Sequence, residues 1–313
     1  METYLGLDFG GTKLLIGEID SHGNILRYKK YDSVSFSQRA AAAMMKESLD
    51  DYVKNVGWVA GKPVAMGVGL IGRADPNEGI WYQIDPNRTQ QISLAKELGE
   101  AVGIPCRIDN DVKSATRAER VWGVGQYSKN FVYINVGTGI AVGTVVNGRQ
   151  IRGSHFNAGE AGHMTVGVHA GIRCACGRMD CVETIASGSG IDICARHLSS
   201  EYETSLPIPP DESRRVDVKT VVDLSLQGDP LCTVLVDNAA QGIANLIMNM
   251  VRITDPDTVV LGGSIVANEY MFERILGKLN QNTMRFVTNG VVITKLNPQF
   301  IGLLGAAAVA MNM

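Results

Sequence analysis

The chain has 313 residues, of which 45% are hydrophobic and 19% are charged; this composition is ordinary for a folded protein, and the length is sufficient for two domains. The formal net charge of −3 at pH 7 excludes a strongly basic protein, so we expect no nucleic-acid partner and no binding to an anionic membrane. We also expect no membrane span and no signal peptide, because we find no apolar run of spanning length and no basic N-terminal region followed by an apolar segment.

The first predicted structure is a β-hairpin with a glycine-rich turn. Strands are expected at 4–9 and 14–19, and a third strand follows at 24–31. Glycine lets backbone N–H groups approach an anion closely, and a hydroxyl and a lysine charge follow in the same turn. The pattern is typical either of a phosphate-binding turn or of a plain tight turn, and it matches neither a P-loop nor a dinucleotide fingerprint. The turn residues are Gly10, Gly11, Thr12 and Lys13.

A second hairpin repeats this pattern further along the chain. Strands are predicted at 131–135 and 140–146, and the turn between them contains Gly137, Thr138 and Gly139. When the two segments are aligned, Asp8 falls on Asn135 and Gly10 on Gly137. The repeat predicts two similar lobes, each of which presents a phosphate-contacting hairpin to a shared cleft.

Helices and strands alternate through the rest of the chain. A strand at 104–108 delivers Asp109, Asn110 and Asp111 to its C-terminal end, where a helix begins. Polar groups at such a strand end are in the usual place for catalysis in α/β folds, although Asp111 could instead cap the helix and Asp109 could do the same or be solvated. Helices are also predicted at 38–56, 94–102, 185–198, 217–226, 230–253 and 269–281, with a strand at 258–261 and a terminal helix from about 303.

Four potential metal ligands are clustered between residues 160 and 183. They are His163, Cys174, Cys176 and Cys181, a set that suits a closed tetrahedral zinc site. His169 is a competing ligand, and reduced thiols without a metal are the alternative. Six cysteines in a chain of this length are not a disulfide framework, and the clustering of three of them at metal-ligand spacing favours a reducing cytoplasm. Glu160 and Glu183 flank the cluster, so a structural metal there would hold two carboxylates in register.

These motifs resemble those of the ROK family (repressor, open reading frame, kinase), which belongs to the actin/hexokinase-like ATPases. The resemblance covers nearly the whole chain and is most specific at 159–163 and 174–183. It implies an α/β, two-lobed actin-like ATPase fold of the duplicated ribonuclease H type, with a cleft between the lobes. The smaller lobe is expected at 1–117, joined by the terminal helix at 303–313, and the larger lobe at 118–302.

The family resemblance also implies roles for individual positions. Asp111 resembles the general base that deprotonates a sugar hydroxyl, which then attacks the γ-phosphate of ATP. The sugar ligands are implied to be Gly69, Asn87, Asn110, Asp111, Glu160, His163 and Glu183. The phosphate turns are implied to be Gly10 to Lys13 and Gly137 to Gly139, and Gly262 with Gly263 are implied to form part of the adenosine pocket.

The resemblance predicts a cytoplasmic, glucokinase-like sugar kinase. It implies that the enzyme phosphorylates a hexose or N-acetyl-hexosamine at the 6-hydroxyl, uses ATP with Mg²⁺, carries a structural Zn²⁺ and forms a dimer or tetramer. The alternatives are a catalytically idle sugar sensor and, less favoured, a transcriptional repressor. Family repressors carry a DNA-binding domain before this fold, and we expect none here because the first hairpin begins near Tyr4.

The sequence departs from the family pattern at a few positions near the implied sugar site. Val112 and Lys113 follow the implied base, and Lys113 could steer the site toward an anionic substrate or face solvent. Asp180 replaces a glycine before the last metal-site cysteine, and Ile71 replaces a proline. These differences leave the identity of the sugar open.

Overall fold

The computed structural model describes residues 1–11, 13–33, 37–85, 88–211 and 213–311. In chain order its elements are β1 (Thr3–Phe9), β2 (Lys13–Asp20), β3 (Ile25–Asp32), α1 (Gln38–Asp51), β4 (Ala65–Leu70), β5 (Arg73–Asp75), β6 (Ile80–Asp85), β7 (Arg88–Ile92), α2 (Leu94–Val102), β8 (Cys106–Asn110), α3 (Asp111–Trp122), β9 (Phe131–Val136), β10 (Ile140–Val146), β11 (Arg149–Gln150), α4 (Val182–Ala186), α5 (Gly188–Leu198), α6 (Val218–Leu226), α7 (Pro230–Thr254), β12 (Thr258–Gly262), α8 (Glu269–Gly277), α9 (Gln281–Met284), β13 (Val291–Ile293) and α10 (Ile301–Ala310).

The chain forms two compact units. Unit 1 consists of Met1–Tyr127, Gln150–Ala158 and Lys295–Met313, and unit 2 consists of Ser128–Arg149 and Gly159–Thr294. The lobe boundaries expected from the sequence, after residues 117 and 302, stay a prediction.

Unit 1 is built on a five-stranded sheet with the strand order β3-β2-β1-β4-β8. β1 is antiparallel to β2 and parallel to β4, which is parallel to β8. Alternate residues of β2 face opposite sides of the sheet. Leu14 and Ile16 belong to the core that includes α1 and α2, whereas Leu15 and Ile19 pack with residues of α3 and α10. The sheet is therefore covered by helices on both faces.

Unit 2 repeats this topology. Its sheet has the order β11-β10-β9-β12-β13, in which β9 is antiparallel to β10 and parallel to β12, and β12 is parallel to β13. The strands β10, β9, β12 and β13 therefore correspond in order and direction to β2, β1, β4 and β8. The duplication that the two glycine-rich hairpins indicated extends to the sheets that carry them.

The long helix α7 lies in the core of unit 2. By length and composition it could cross a membrane, so the expectation that the chain contains no such apolar run was wrong on those criteria. However, 61% of its most apolar stretch is buried within the protein. The buried residues of α7 include Ala239, Ile243 and Leu246. The burial identifies α7 as a core helix.

Several elements differ from the sequence predictions. The helix predicted at 185–198 is divided into α4 and α5, because the hydroxyl of Ser187 caps α5 by accepting a hydrogen bond from the N–H of Gly190. The helix predicted at 269–281 is likewise two helices, α8 and α9. The three-stranded sheet β5-β6-β7 and the edge strand β13 were not predicted.

Candidate active site

Asn110 and Asp111 lie where β8 meets α3. The Oδ1 atom of Asn110 caps the helix by accepting hydrogen bonds from the N–H groups of Val112 (3.1 Å) and Lys113 (3.2 Å). Asp111 was considered as a possible cap of this helix, but the capping residue is Asn110. Asp111 is the first helical residue, and its Oδ1 lies 2.9 Å from the backbone nitrogen of Val112. The Nδ2 group of Asn110 donates to the carbonyl of Gly72 at 3.1 Å. A carboxylate at this helix position is stabilised by the unpaired N–H groups of the first turn.

Asp8, at the end of β1, is electrostatically coupled to Asp111. Burial raises the pKa of the Asp8 carboxyl from 3.8 to about 6, with a smaller contribution from the negative charge of Asp111, while the Lys13 cation acts in the opposite direction. The first turn of α10 packs directly on this carboxylate, since a Cβ atom on Gly302 would lie 2.4 Å from it. Asp8 aligns with Asn135 in the hairpin repeat but had no predicted role, although its place before the glycine turn was a usable signal.

The glycine-rich turn of unit 1 joins β1 to β2. The N–H of Gly10 donates to the carbonyl of Lys13 at 2.9 Å, which closes the turn. A Cβ atom on Gly11 would meet no heavy atom within 4 Å, so the backbone there is open to an approaching group. Thr12, predicted to belong to this turn, lies outside the described residues, as does the predicted sugar ligand Asn87. Gly69 lies opposite Asp8 on the neighbouring strand β4.

The corresponding turn of unit 2 is held by the start of α5. The N–H of Gly188 donates to the carbonyl of Gly137 at 2.8 Å, and that of Ser189 donates to the carbonyl of Thr138 at 3.2 Å. Because both carbonyls accept hydrogen bonds from N–H groups at the start of α5, this helix fixes the orientation of the turn.

Glu183, in the first turn of α4, lies beside the same turn. Its Oε2 accepts a hydrogen bond from the N–H of Ile140 at 2.8 Å, and a Cβ atom on Gly139 would lie 2.6 Å from that oxygen. The predicted sugar ligand Glu160 is exposed and immediately precedes a 3₁₀ turn at Ala161–His163.

Gly159, which precedes Glu160, is pressed against β10. Its φ is +98°, and a Cβ atom there would lie 1.9 Å from the carbonyl oxygen of Val142, so only glycine fits. The N–H of Val142 donates to the carbonyl of Gly159 at 2.8 Å, which completes the contact.

A cavity of about 380 Å³ opens beside the Gly137–Thr138 turn in unit 2. Gly262 and Gly263, predicted to form part of an adenosine pocket, are not among its lining residues. Gly262 packs against Tyr133 and Gly263 against Val136, while the next residues in the chain, Ser264 and Ile265, line the cavity. Another part of the wall, including Arg215, Asp217 and Lys219, was not identified from the sequence.

The predicted metal ligands are brought together in unit 2. One donor atom from each of His163, Cys174, Cys176 and Cys181 lies within 4.8 Å of all the others. The Cys176 and Cys181 sulfurs are 3.5 Å apart, and the Cys174 sulfur is 3.4 Å from Nδ1 of His163. Two thiolates that share a tetrahedral zinc ion are about 3.8 Å apart, given Zn–S bonds of about 2.3 Å. The donor set and its spacing therefore fit one tetrahedral ion.

Asp180 supports this cluster from the loop beside it. Its backbone has φ of +53°, a left-handed conformation that glycine adopts readily and aspartate tolerates. Its Oδ1 accepts hydrogen bonds from the N–H groups of Ala170 (3.2 Å) and Ile172 (2.9 Å). His169, considered as a competing ligand, is instead 79% exposed and lies 3.5 Å from Oδ2 of Asp180. The change from the family's glycine to Asp180 thus keeps the backbone conformation and adds two hydrogen bonds.

Two charged residues near Asn110 are buried rather than solvated. Asp109 is 1% exposed and accepts two hydrogen bonds from Arg152, at 3.0 and 2.7 Å. Lys113 is 4% exposed, and its carbonyl accepts a hydrogen bond from Nε2 of Gln150 at 3.0 Å. The solvent-facing alternatives considered for Asp109 and Lys113 are therefore wrong.

Comparison with known proteins agrees with this architecture. A model described as the ROK family matches residues 4–313. Glucokinase from Halalkalibacterium halodurans is 28% identical over 266 residues, which cover 84% of this chain and 80% of the relative. N-acetylmannosamine kinase from Salmonella typhi is 29% identical over 312 residues, which cover 98% of each protein.

The solved structures give the same result. The ROK hexokinase from Thermus thermophilus superposes with a TM-score of 0.77 at 29% sequence identity, covering 99% of this chain and 98% of that chain. The family match spans nearly the whole sequence, and the repeated sheet topology accompanies it. The chain therefore belongs to the ROK family and has its two-lobed, actin-like ATPase fold.

Proposed function

We propose that this protein is an ATP-dependent sugar kinase that phosphorylates a hexose or N-acetyl-hexosamine at its 6-hydroxyl. Similar proteins of the family are a glucokinase and an N-acetylmannosamine kinase, which supports sugar phosphorylation as the general reaction. The observation that carries the proposal is the position of Asp111 at the start of α3, with Asn110 oriented beside it by two backbone N–H groups and the Gly72 carbonyl.

Asp111 is the proposed general base. Its carboxylate takes the proton of the sugar hydroxyl as that oxygen forms a bond to the γ-phosphorus of ATP, and the bond from this phosphorus to the β–γ bridging oxygen breaks to release ADP. Phosphoryl transfer depends mainly on positioning and on stabilising charge, and a well-placed base contributes about 10²–10⁴-fold. The proposed sugar ligands are those implied by the family, with Asn110, Glu160 and Glu183 as the planar groups that accept hydrogen bonds from neighbouring hydroxyls.

The nucleotide is proposed to bind in unit 2, in the cavity beside Gly137 and Thr138. The glycine-rich turns at 10–13 and 137–139 offer backbone N–H groups to phosphate oxygens. Mg²⁺, which sugar kinases use with ATP, would neutralise phosphate charge during transfer. The negative charge of Asp111 also acts on the carboxyl of Asp8, whose pKa it helps to raise.

The metal cluster of unit 2 is proposed to hold a structural Zn²⁺. Its residues His163, Cys174, Cys176 and Cys181 supply four ligands, which leave no coordination position for substrate or water. The ion would cross-link the segment after Glu160 to the segment before Glu183, and so fix both proposed sugar ligands. A cytoplasmic location and a dimeric or tetrameric assembly remain part of the proposal.

The proposal is tested by measuring ADP formation from Mg-ATP with a panel of hexoses and N-acetyl-hexosamines, against a control without sugar. We expect sugar-dependent ADP formation with at least one of them and a sugar 6-phosphate as the product. Binding of a sugar without ADP formation would overturn the kinase proposal and favour the idle-sensor alternative. Specific retention of duplex DNA at moderate salt, with no turnover, would favour the repressor alternative instead.

A further inference from the structure

A partly buried ion pair on α5 holds a segment that contributes to the wall of the cavity in unit 2. Asp192 is 7% exposed, and its Oδ2 accepts a hydrogen bond from Nε of Arg196 at 3.1 Å, one helical turn further along. A pair at this spacing on an exposed helix face contributes little to stability. Here Asp192 is buried, the Arg196 side chain is 24% exposed, and both make further hydrogen bonds that fix the pair in place.

The pair also binds the segment that precedes α6. Arg196 donates to two backbone carbonyls, from Nη1 to Pro209 at 2.7 Å and from Nη2 to Arg214 at 2.8 Å. Oδ1 of Asp192 accepts the N–H of Val216 at 2.9 Å, and Val216 is 5% exposed. Arg215 is therefore flanked by two residues whose backbones are both bound by the same ion pair.

Arg215 lines the cavity that also contains the backbone turn proposed to bind phosphate. It is exposed and lines the same cavity as Gly137 and Thr138. Lys219, another cation of this wall, is already paired with Asp223 at 2.7 Å. A guanidinium matches phosphate oxygens in geometry and charge, so Arg215 is the better-placed cation for a phosphate group in this cavity.

We propose that the Asp192–Arg196 ion pair is a positioning element for the nucleotide, and that Arg215, which it holds at the cavity wall, contacts the phosphates of the bound nucleoside triphosphate. This inference rests on the proposed function, because it assigns the cavity to the nucleotide. α5 then acts at both ends: its first N–H groups fix the Gly137–Thr138 turn, and its last turns fix the segment that carries Arg215.

The test is calorimetric binding of adenosine, ADP and a non-hydrolysable ATP analogue to the full chain without sugar. Arg215→Gln is expected to weaken binding of ADP and of the ATP analogue by about tenfold or more, and binding of adenosine by less than about twofold, because a lost charge-assisted hydrogen bond affects only the phosphates. Arg196→Gln is expected to weaken binding of all three ligands, because the whole segment is released. Arg196→Lys should restore part of that loss, since a lysine can still pair with Asp192.

The control is Arg252→Gln, which removes an exposed arginine of α7 that donates to Thr283 Oγ1. It should bind all three ligands as the wild type does. If Arg196→Gln fails to fold, Arg215→Gln, an exposed position, still decides the question. Unchanged phosphate binding by Arg215→Gln, or an equal loss for adenosine and ADP, would overturn the inference while leaving the kinase proposal intact. A wild-type chain that binds no nucleotide would overturn both.

Discussion

Arg152 and Asp109 form a bidentate ion pair next to Asn110 and Asp111, at the end of β8. The two guanidinium nitrogens lie 3.0 and 2.7 Å from the two carboxylate oxygens, and Nε of Arg117 is 3.6 Å from one of them. Asp109 is almost completely buried, and its Oδ1 also accepts the N–H of Asn110 at 3.0 Å. Arg152, which is 43 residues after Asp109 in the chain, therefore helps to fix the strand end that carries the proposed base.

Replacing Arg152 should cost stability. Removing one partner of a buried ion pair leaves the other charge without compensation, which typically costs about 3–5 kcal/mol. Because Asp109 would keep its contact with Arg117, we expect Arg152→Gln to lower the free energy of unfolding by about 3 kcal/mol, near the lower limit. Urea denaturation gives the free energy of unfolding directly.

The matched control for this experiment is Arg39→Gln. Arg39 pairs with Glu97 at 2.9 Å, but its side chain is 52% exposed, so its loss should cost less than about 1 kcal/mol. If Arg152→Gln and Arg39→Gln lowered the free energy of unfolding equally, the ion pair of Arg152 with Asp109 would contribute no more to stability than an exposed pair, which would contradict our expectation.

The raised pKa of Asp8 predicts a pH dependence of stability in the absence of nucleotide and Mg²⁺. Because the folded protein binds this proton more tightly than the unfolded chain does, the free energy of unfolding should fall as pH rises from about 4 to about 6. Asp8→Asn cannot ionise and should lose this part of the dependence. Its stability relative to the wild type should therefore improve between pH 4 and 7 by on the order of 2 kcal/mol.

Chemical denaturation of both proteins across this pH range measures the effect. Asp50→Asn, which removes an exposed carboxylate of α1, should follow the wild-type curve. Curves for Asp8→Asn and wild type that stay parallel from pH 4 to 7 would contradict the raised pKa.

Metal removal tests the cysteine cluster. We expect about one zinc ion per chain after purification without added metal, released by a strong chelator with a fall in Tm of about 5 °C or more, since metal binding stabilises the folded state. Cys176→Ala should lose the metal and show a similar Tm without chelator. Cys106→Ala, which removes a thiol outside the cluster, should retain the ion. Equal metal content in both variants would show that Cys176 is not a ligand.

Local patterns in the sequence were sufficient for the features that depend on neighbouring residues. The two glycine-rich hairpins, the strand end that carries Asn110 and the spacing of Cys174, Cys176 and Cys181 each lie within a short segment. Turn chemistry, strand length and ligand spacing are local properties, so they could be recognised without knowledge of the fold.

The features that the sequence did not reveal depend on distant segments. Periodicity placed Lys113 on α3 but could not show that Gln150 lies against its backbone and that the side chain is buried. The ion pair of Arg152 with Asp109 and the attachment of Arg214 to Arg196 likewise join residues from separate segments. The strands β5, β6 and β7 are short, and their buried residues Ala74, Trp81 and Ile92 lie on three separate strands, so they form no run of alternating apolar residues in the sequence.

The central claim is that Asp111 is the base of a sugar kinase, and the most direct test compares Asp111→Asn with the wild type in sugar-dependent ADP formation and in calorimetric sugar binding. Asparagine keeps the size of the side chain and cannot accept the hydroxyl proton as a carboxylate does. The account predicts that turnover falls by about 10²–10⁴-fold while sugar affinity changes by less than about tenfold. Turnover within about tenfold of the wild type would contradict it, because the reaction would then proceed without the proposed base.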